Sequence, residues 1–344
     1  MAQRVTLQQI ADEAGVSRMT VSRALRNSPH ASKSTCRRIQ ALAASLGYHP
    51  DPLIQRLNTH LAQSRRHSEG QVIAWINSYP DRKPWVGQIP FVHMYRGAAA
   101  RAEQLGFQLE EFWLREPGMT GKKLSRILYQ RGIECLILPP LPKGAGHLTM
   151  DWEKFSSVAI SYAMVFPRLH RVGSHQVHAA REAIRQLYRR GYRRIGLCIA
   201  KDANVRVDHS WLEVMAYYQL QNPKRHWVKP LVQVEPSAKK ILRWLKEERP
   251  DSILTHYEWL PETLTTAGHR VPGDVAVALL NLKNAESGVS GINQKHHIIG
   301  ERAADLVVGQ YYRNEKGIPE EPATVMIEGR WIDGSTVSRK TSKA

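Results

Sequence analysis

From Gln71 onward, apolar runs of strand length alternate with amphipathic stretches of helical length, and this alternation leaves few folds open. The runs are VIAWI (72–76), ECLILPP (134–140), SVAISY (157–162), RIGLCIA (194–200), DSILT (251–255) and DVAVALL (274–280). Between them lie FVHMYRGAAARAEQLG, QVHAAREAIRQLYRRG, SAKKILRWLKEERP and KHHIIGERAADLVVGQYYRN. Such a pattern predicts parallel sheets with helices on both faces, arranged as two lobes. There is no internal repeat, and no low-complexity tract beyond the basic tail SRKTSKA.

The preceding segment has a different texture. Thr6 suits the cap of a helix that carries Leu7, Ile10, Ala11 and Ala14 at three- and four-residue spacings, and Gly15 stops it. Ser17 suits the cap of a second helix through Arg26, ended by Asn27, Ser28 and Pro29. Ser32 opens a third, with Ile39, Leu42, Ala43 and Leu46 on one face and Gly47 at its end. Two short helices joined by a tight glycine turn, with a third packed behind, are the sequence form of a helix-turn-helix. In the next stretch Asp51 as cap and Pro52 at the first helical position signal a short helix with Leu53, Ile54, Leu57 and Leu61 in a stripe. By Ser64 the chain has turned polar and basic, as a linker does.

The formal net charge of +18 points to a polyanionic partner, of which nucleic acid is the commonest. Cys36, Cys135 and Cys198 form no CxxC pair, so neither a disulfide framework nor a zinc site is expected. The N-terminus has no apolar signal core, and no stretch reaches the length of a membrane span. These features predict a cytoplasmic protein without membrane contact.

Charge concentrates at the N-terminus. Within residues 1–68 the bases are Arg4, Arg18, Arg23, Arg26, Lys33, Arg37, Arg38, Arg56, Arg65 and Arg66, against Asp12, Glu13 and Asp51. On a helical wheel Val21, Ala24 and Leu25 gather on one arc, while Arg18, Met19, Ser22, Arg23 and Arg26 occupy the other. Arginine forks suit guanine edges and phosphates, and hydroxyls suit phosphates. A merely solvated charged face is the competing reading, and the helix-turn-helix spacing weighs against it.

The run VTLQQIADEAGVSRMTVSRALRNSPHASKSTCRRIQALAASLGYHPDP resembles the DNA-binding headpiece of the lactose-repressor (LacI/GalR) family of bacterial transcription regulators, in order and without gaps. The remainder is similar, more loosely, to that family's periplasmic-binding-protein-like effector domain, through PFVHMYRGAAARAEQLGF, GYRRIGL, RVPGDVAV and the closing GSTV. The resemblance implies base and phosphate contacts from Leu7, Ser17, Arg18, Met19, Thr20, Ser22, Arg23, Arg26, His30, Ser32, Thr35 and Tyr48. Arg18 and Met19 sit where family members vary to choose their operator. Met19 has a physical use there, since a flexible apolar side chain packs well on a thymine methyl. The family's hinge helix corresponds to DPLIQRLNTHL, and Leu57 matches the leucine that enters the minor groove and kinks the duplex.

The resemblance also implies a small-molecule effector between the lobes. Asn77, Ser78 and Tyr79 follow the first strand, where loops at carboxyl ends line such a crevice. Trp85 and Phe91 suit stacking on a sugar or base, and Arg206 and Asp208 precede the helix beginning near His209. Asn281 falls where the family usually has an aspartate. The family's Asp-Asn pair before the long helix is His175-Gln176 here, and its Asn-Asp pair after SILT is replaced by His256, Tyr257 and Glu258, with a following helix about a turn short. These departures remove carboxylates that commonly hold sugar hydroxyls and argue against a standard sugar, leaving a sugar derivative among the candidates.

No enzyme signature competes. GMTGKKLS lacks the upstream glycine of a phosphate-binding loop, and GxGxxG after a strand, HExxH and GxSxG are all missing. His170, His175 and His178 have no partner at ligand spacing, so no metal and no cofactor are expected. The expected architecture is a helix-turn-helix domain over 1–49, a hinge helix and linker over 50–69, a two-lobed effector-binding and dimerisation domain over 70–336, and a basic tail over 337–344. That tail has no leucine heptads, which argues against a tail-mediated tetramer. The expected function is a homodimeric, effector-switched regulator on a pseudo-palindromic operator, more often a repressor in this family. The alternative is a constitutive or architectural DNA-binding protein whose α/β domain only dimerises.

Overall fold

A computed structural model of the chain describes residues 5–25, 31–48, 71–80, 82, 89–142 and 146–340. The head consists of α1 (Leu7–Ala14), α2 (Arg18–Leu25) and α3 (Lys33–Ser45). Thr6 caps α1 in a reciprocal box with Gln9, and Gly15 closes it in the left-handed region at φ 65°, a conformation that favours glycine. The Ser17 and Ser32 hydroxyls accept hydrogen bonds from the amides of Thr20 (3.1 Å) and Thr35 (3.2 Å), so each starts the next helix. The core is built from Ile10, Ala11, Ala14, Val21, Ala24, Cys36, Ile39 and Ala43. Its alanines let three short helices approach closely.

The body holds two six-stranded sheets. The first lobe contains β1 (Gln71–Asn77), α4 (Ile89–Gln104), β2 (Phe107–Trp113), α5 (Gly121–Gln130), β3 (Cys135–Leu138), the short pair β4 (Gly146–His147) and β6 (Met164–Phe166), β5 (Ser156–Ile160) and β7 (His170–Ser174). The second contains α6 (Gln176–Arg189), β8 (Ile195–Ala200), α7 (Lys201–Arg206), α8 (Ser210–Leu220), β9 (Leu231–Gln233), α9 (Ala238–Glu248), β10 (Ser252–Thr255), α10 (Leu260–Thr266), β11 (Ala276–Leu282) and β12 (Gly291–Asn293). The chain then returns as α11 (His296–Arg313) and β13 (Thr324–Ile327) in the first lobe, and ends as β14 (Arg330–Ile332) in the second. Strand order is β13-β7-β5-β3-β1-β2 in one sheet and β14-β12-β11-β10-β8-β9 in the other. All pairs are parallel except β12–β14.

Both faces of each sheet are buried, which is why the strands read as continuous apolar runs. Ile73 and Trp75 of β1 face α4 and α11, while Ala74 and Ile76 face the layer of α5. Ile195, Leu197 and Ile199 of β8 face α6 and α8, whereas Cys198 and Ala200 join Ile241, Trp244 and Leu260 of α9 and α10. Against the first sheet, α4 and α11 pack with their backbones in contact. A Cβ at Gly97 would collide with the His297 carbonyl, and one at Gly300 with the Met94 carbonyl.

The three lobe crossings, β7 to α6, β12 to α11 and β13 to β14, define the hinge region of the body. Gln176 opens α6 and Gln294 lies just before α11, so these two residues sit on separate crossings. Their amides exchange hydrogen bonds of 3.0 and 3.1 Å, and Gln176 Oε1 also accepts from the Trp211 indole (3.0 Å).

Each strand-length run of the sequence corresponds to a strand here, and each of the four quoted helical stretches to a helix. Several elements add to that pattern. β2 reads FQLEEFW and is half-exposed at a sheet edge, with Glu110 gripping Arg131 through two 2.8 Å hydrogen bonds. β7, β12, β13 and β14 are short and paired across long sequence distances. The segment 337–344 is basic in sequence, but its described part is docked: Val337 is buried in the second lobe, and Lys340 Nζ reaches Asp251 at 2.8 Å. Among the described residues no helix is long and apolar enough to cross a membrane.

Candidate nucleic-acid interface and inter-lobe cleft

On α2 the packed and free faces separate cleanly. Val21 and Ala24 are fully buried against α1 and α3, and Leu25 is partly covered. Arg18, Arg23 and Met19 point outward, and Met19 is 62% exposed. A large apolar side chain that exposed contributes nothing to the core, so its position is open to a partner. Ser17 and Thr20 bring their hydroxyls within 2.9 Å of each other at the helix start. Ser32 and Thr35 form the same arrangement at the start of α3, at 2.7 Å. Both pairs present hydroxyls beside a helix N-terminus, where free amides and the helix dipole attract phosphate. Ser22 is half-buried on α2. Leu7 and Tyr48 are half-buried against the head core, so much of each is committed to packing. Arg26, His30 and Leu57 lie outside the described residues, as does Trp85.

The second region lies between the lobes, past the carboxyl ends of β1, β3 and β8, where Arg206 meets Pro142. Asn77 ends β1, but its amide is spent on the loop: it donates to Glu111 (2.9 Å) and to the Arg82 carbonyl (3.2 Å), and it accepts from the Tyr79 amide (2.9 Å). It therefore shapes the loop that follows. Ser78 and Tyr79 are buried, and neither hydroxyl has a partner. Phe91 packs edge-on against Tyr79 at 5.2 Å.

From the other lobe, Arg206 ends α7 and donates to the Pro142 carbonyl at 2.6 Å, bridging the lobes, while its Nε stays buried and unpartnered. Asp208, placed beside it in sequence, is exposed with φ 52° and marks the turn into α8. Asn281 lies inside β11, and its Oδ1 is unpartnered too. Tyr79 feels the Arg206 charge, although burial dominates and pushes its hydroxyl up to about 12. It stays a neutral donor at any ordinary pH.

Sequence reasoning did not single out the aromatic wall of the second lobe. Trp211 stacks with His256 (centroids 5.7 Å, planes 29° apart), and His256 lies 4.2 Å from Tyr257. His256 Nδ1 and the Tyr257 hydroxyl lack partners. Burial chiefly lowers the His256 imidazole, to about 4, with Asp202 opposing and Lys283 and Arg206 adding to the drop. It is neutral, and its buried Nδ1 is left without a partner. Only the departure of His256-Tyr257-Glu258 from the family pattern hinted at it; nothing in the sequence marked Trp211. The short helix expected after SILT is α10, of seven residues. His175 caps α6 through Nδ1, and His170 Nδ1 accepts from the Ala323 amide, so both serve the backbone. Among the described residues no group of histidines, cysteines and acids is arranged to hold a metal.

Residues 6–51 match the family described as bacterial regulatory proteins, lacI family, and residues 184–337 match the periplasmic binding protein-like domain. The chain belongs to the lacI family. A curated relative of this lacI-family chain is the NTD biosynthesis operon regulator NtdR of Bacillus subtilis (strain 168), 22% identical over 289 residues and covering 79% of this chain and 81% of the relative. Among solved structures, the transcriptional regulator CelR-cellobiose complex aligns over 97% of this chain and 100% of its own, with a TM-score of 0.58 and 20% identity. The lac repressor dimer bound to operator and the anti-inducer ONPF aligns over 98% and 100%, with 0.56 and 17%. A lacI-family regulator from Enterococcus faecium with bound ribose covers 79% of this chain and 100% of its own, with 0.56 and 14%. At these identities the neighbours establish the shared fold. Membership makes this chain a DNA-binding transcription regulator with a helix-turn-helix head and an effector-type domain.

Proposed function

We propose that this regulator binds a pseudo-palindromic operator as a homodimer, represses from it, and is switched by a small molecule held between its lobes. The observation that carries the reading is the exposed face of α2, where Arg18, Met19 and Arg23 stand free opposite a fully packed Val21 and Ala24. In this division of labour Arg23 supplies common affinity and Arg18 and Met19 choose the bases. Ser17, Thr20, Ser22, Ser32, Thr35, Leu7 and Tyr48 position the head, together with Arg26 and His30. Leu57 enters the minor groove from the hinge segment 50–69 that joins the head, 1–49, to the body. One head reads one half-site, so two-fold symmetry of the protein is mirrored in the site. The protein is not an enzyme and works in the cytoplasm, where its operator lies.

The test is selection of bound sites from a random DNA pool, followed by titration of the winner. The expected product is a two-fold site protected by a dimer, with affinity that changes when the cleft is filled. A site with no symmetry, bound by a monomer, would remove the dimeric reading. Affinity indifferent to every cleft ligand would favour an architectural role.

A further inference from the structure

We infer that the cleft is built for a sugar-sized ring bearing a carboxylate or phosphate group, with Arg206, Tyr79 and Ser78 holding the anion. This rests on the cleft being the effector site of the proposed function. Three observations converge. First, the Arg206 guanidinium is brought between the lobes with one donor used on Pro142 and its Nε buried and free. A buried cationic N–H without an acceptor is costly, and a charge-assisted hydrogen bond to an anion is its strongest remedy. Second, the buried hydroxyls of Ser78 and Tyr79 lack partners in the opposite lobe, with Tyr79 within the field of Arg206. Arginine and two hydroxyls can all donate, which suits an acceptor-only group.

Third, the cleft carboxylates that the structure describes are engaged or turned outward. Glu111 accepts from Asn77, Glu258 is paired with Lys283 at 3.0 Å, and Asp202 and Asp208 are exposed. The remaining free groups deeper in the second lobe are neutral: His256 Nδ1, the Tyr257 hydroxyl and Asn281 Oδ1. They suit ring hydroxyls, and the half-buried His256 ring, backed by Trp211, is flat enough to meet a sugar ring. A neutral sugar would offer Arg206 only hydroxyl acceptors. An anionic one satisfies it and ties the lobes through the ligand.

The experiment titrates the full chain at pH 7.5 with D-glucuronate, D-glucose 6-phosphate and D-glucose, by calorimetry and by thermal shift. One of the two anions is expected to bind about ten-fold or more tightly than glucose, and the two arms tell carboxylate from phosphate. Arg206→Met should erase that preference, whereas Arg206→Lys keeps the charge and should retain part of it. His256→Gln should weaken the anion without removing its advantage over glucose. Far-UV circular dichroism checks that each variant is folded. Equal binding of glucose, a preference that survives Arg206→Met, or no binding by any of the three overturns the inference. Operator binding measured on the same samples is independent, so its loss would count against the regulatory reading and not against the ligand class.

Discussion

On the proposed reading, the head and the cleft recognise by opposite means. The head exposes its working groups: Arg18, Met19 and Arg23 stand in solvent, and the packing beneath them is complete without a partner. The cleft buries its proposed working groups and leaves polar atoms unsatisfied: the hydroxyls of Ser78, Tyr79 and Tyr257, and Arg206 Nε. A surface reader of this kind gains from charge at long range and is weakened by salt. A buried site gains from desolvation and penalises any ligand that leaves a polar group unpaired. The proposed function thus gives the same chain one interface selected by what it reaches and another selected by what it lacks.

That contrast can be broken in four ways, from the largest effect to the smallest. Gly300→Val drives a side chain into the Met94 carbonyl and should cost the body about 3–5 kcal/mol. The head has its own core, so urea unfolding followed by circular dichroism should lose the body first while the head signal persists. A single shared transition would show that the two are not independent.

Acid should act next, and on the body alone. His256 and His296 are each held down to about 4, mainly by burial, the latter also by His93, His297 and Lys283. Both are neutral when folded and take up a proton near 6.5 when unfolded. Stability is therefore complete above about pH 6.5 and falls as the pH drops toward 4, by about 2–4 kcal/mol for the pair at pH 5. Among its described residues the head carries no histidine. Thermal denaturation across this window should show the fall, and His256→Gln should flatten it.

Arg23→Ala should cost about 1–3 kcal/mol of operator binding, with the salt slope of a binding isotherm reduced by about one if the lost contact is a phosphate. Met19→Ala should cost under about 1 kcal/mol on the preferred site, and its signature is a changed base preference in site selection. Equal loss on random DNA for both variants would abolish the split between affinity and choice.

Legibility followed the same division. Repetition made the head readable, because its caps and its three- and four-residue spacings lie within a single helix or turn. The central strands were readable because both faces are buried, which leaves no polar residue to interrupt Ile195–Ala200 or Ala276–Leu280. β13 and β14 were not, since four residues of TVMI or three of RWI gain their identity only from partners at Arg171–Ser174 and Gly291–Asn293. The cleft was half readable. Position after a strand marked Ser78 and Tyr79, but nothing local to Trp211, Gln176 or Gln294 says that a crossing brings them together. Asn77 shows the converse: it occupies the expected place, and the fold spends its amide on the loop.

The three crossings also set an order of assembly on the ribosome. The first lobe begins at Gln71, yet the sheet face that α4 covers in part is completed only by α11, and its β7 edge is paired only by β13, which ends at Ile327. At typical translation speeds of about 5–20 residues per second, roughly 10–50 s pass between the first strand and the last. During that interval the nascent lobe presents an open strand edge and a partly covered apolar sheet face. The part of the body that emerges first is therefore finished almost last, and it is where a holding chaperone has most to protect.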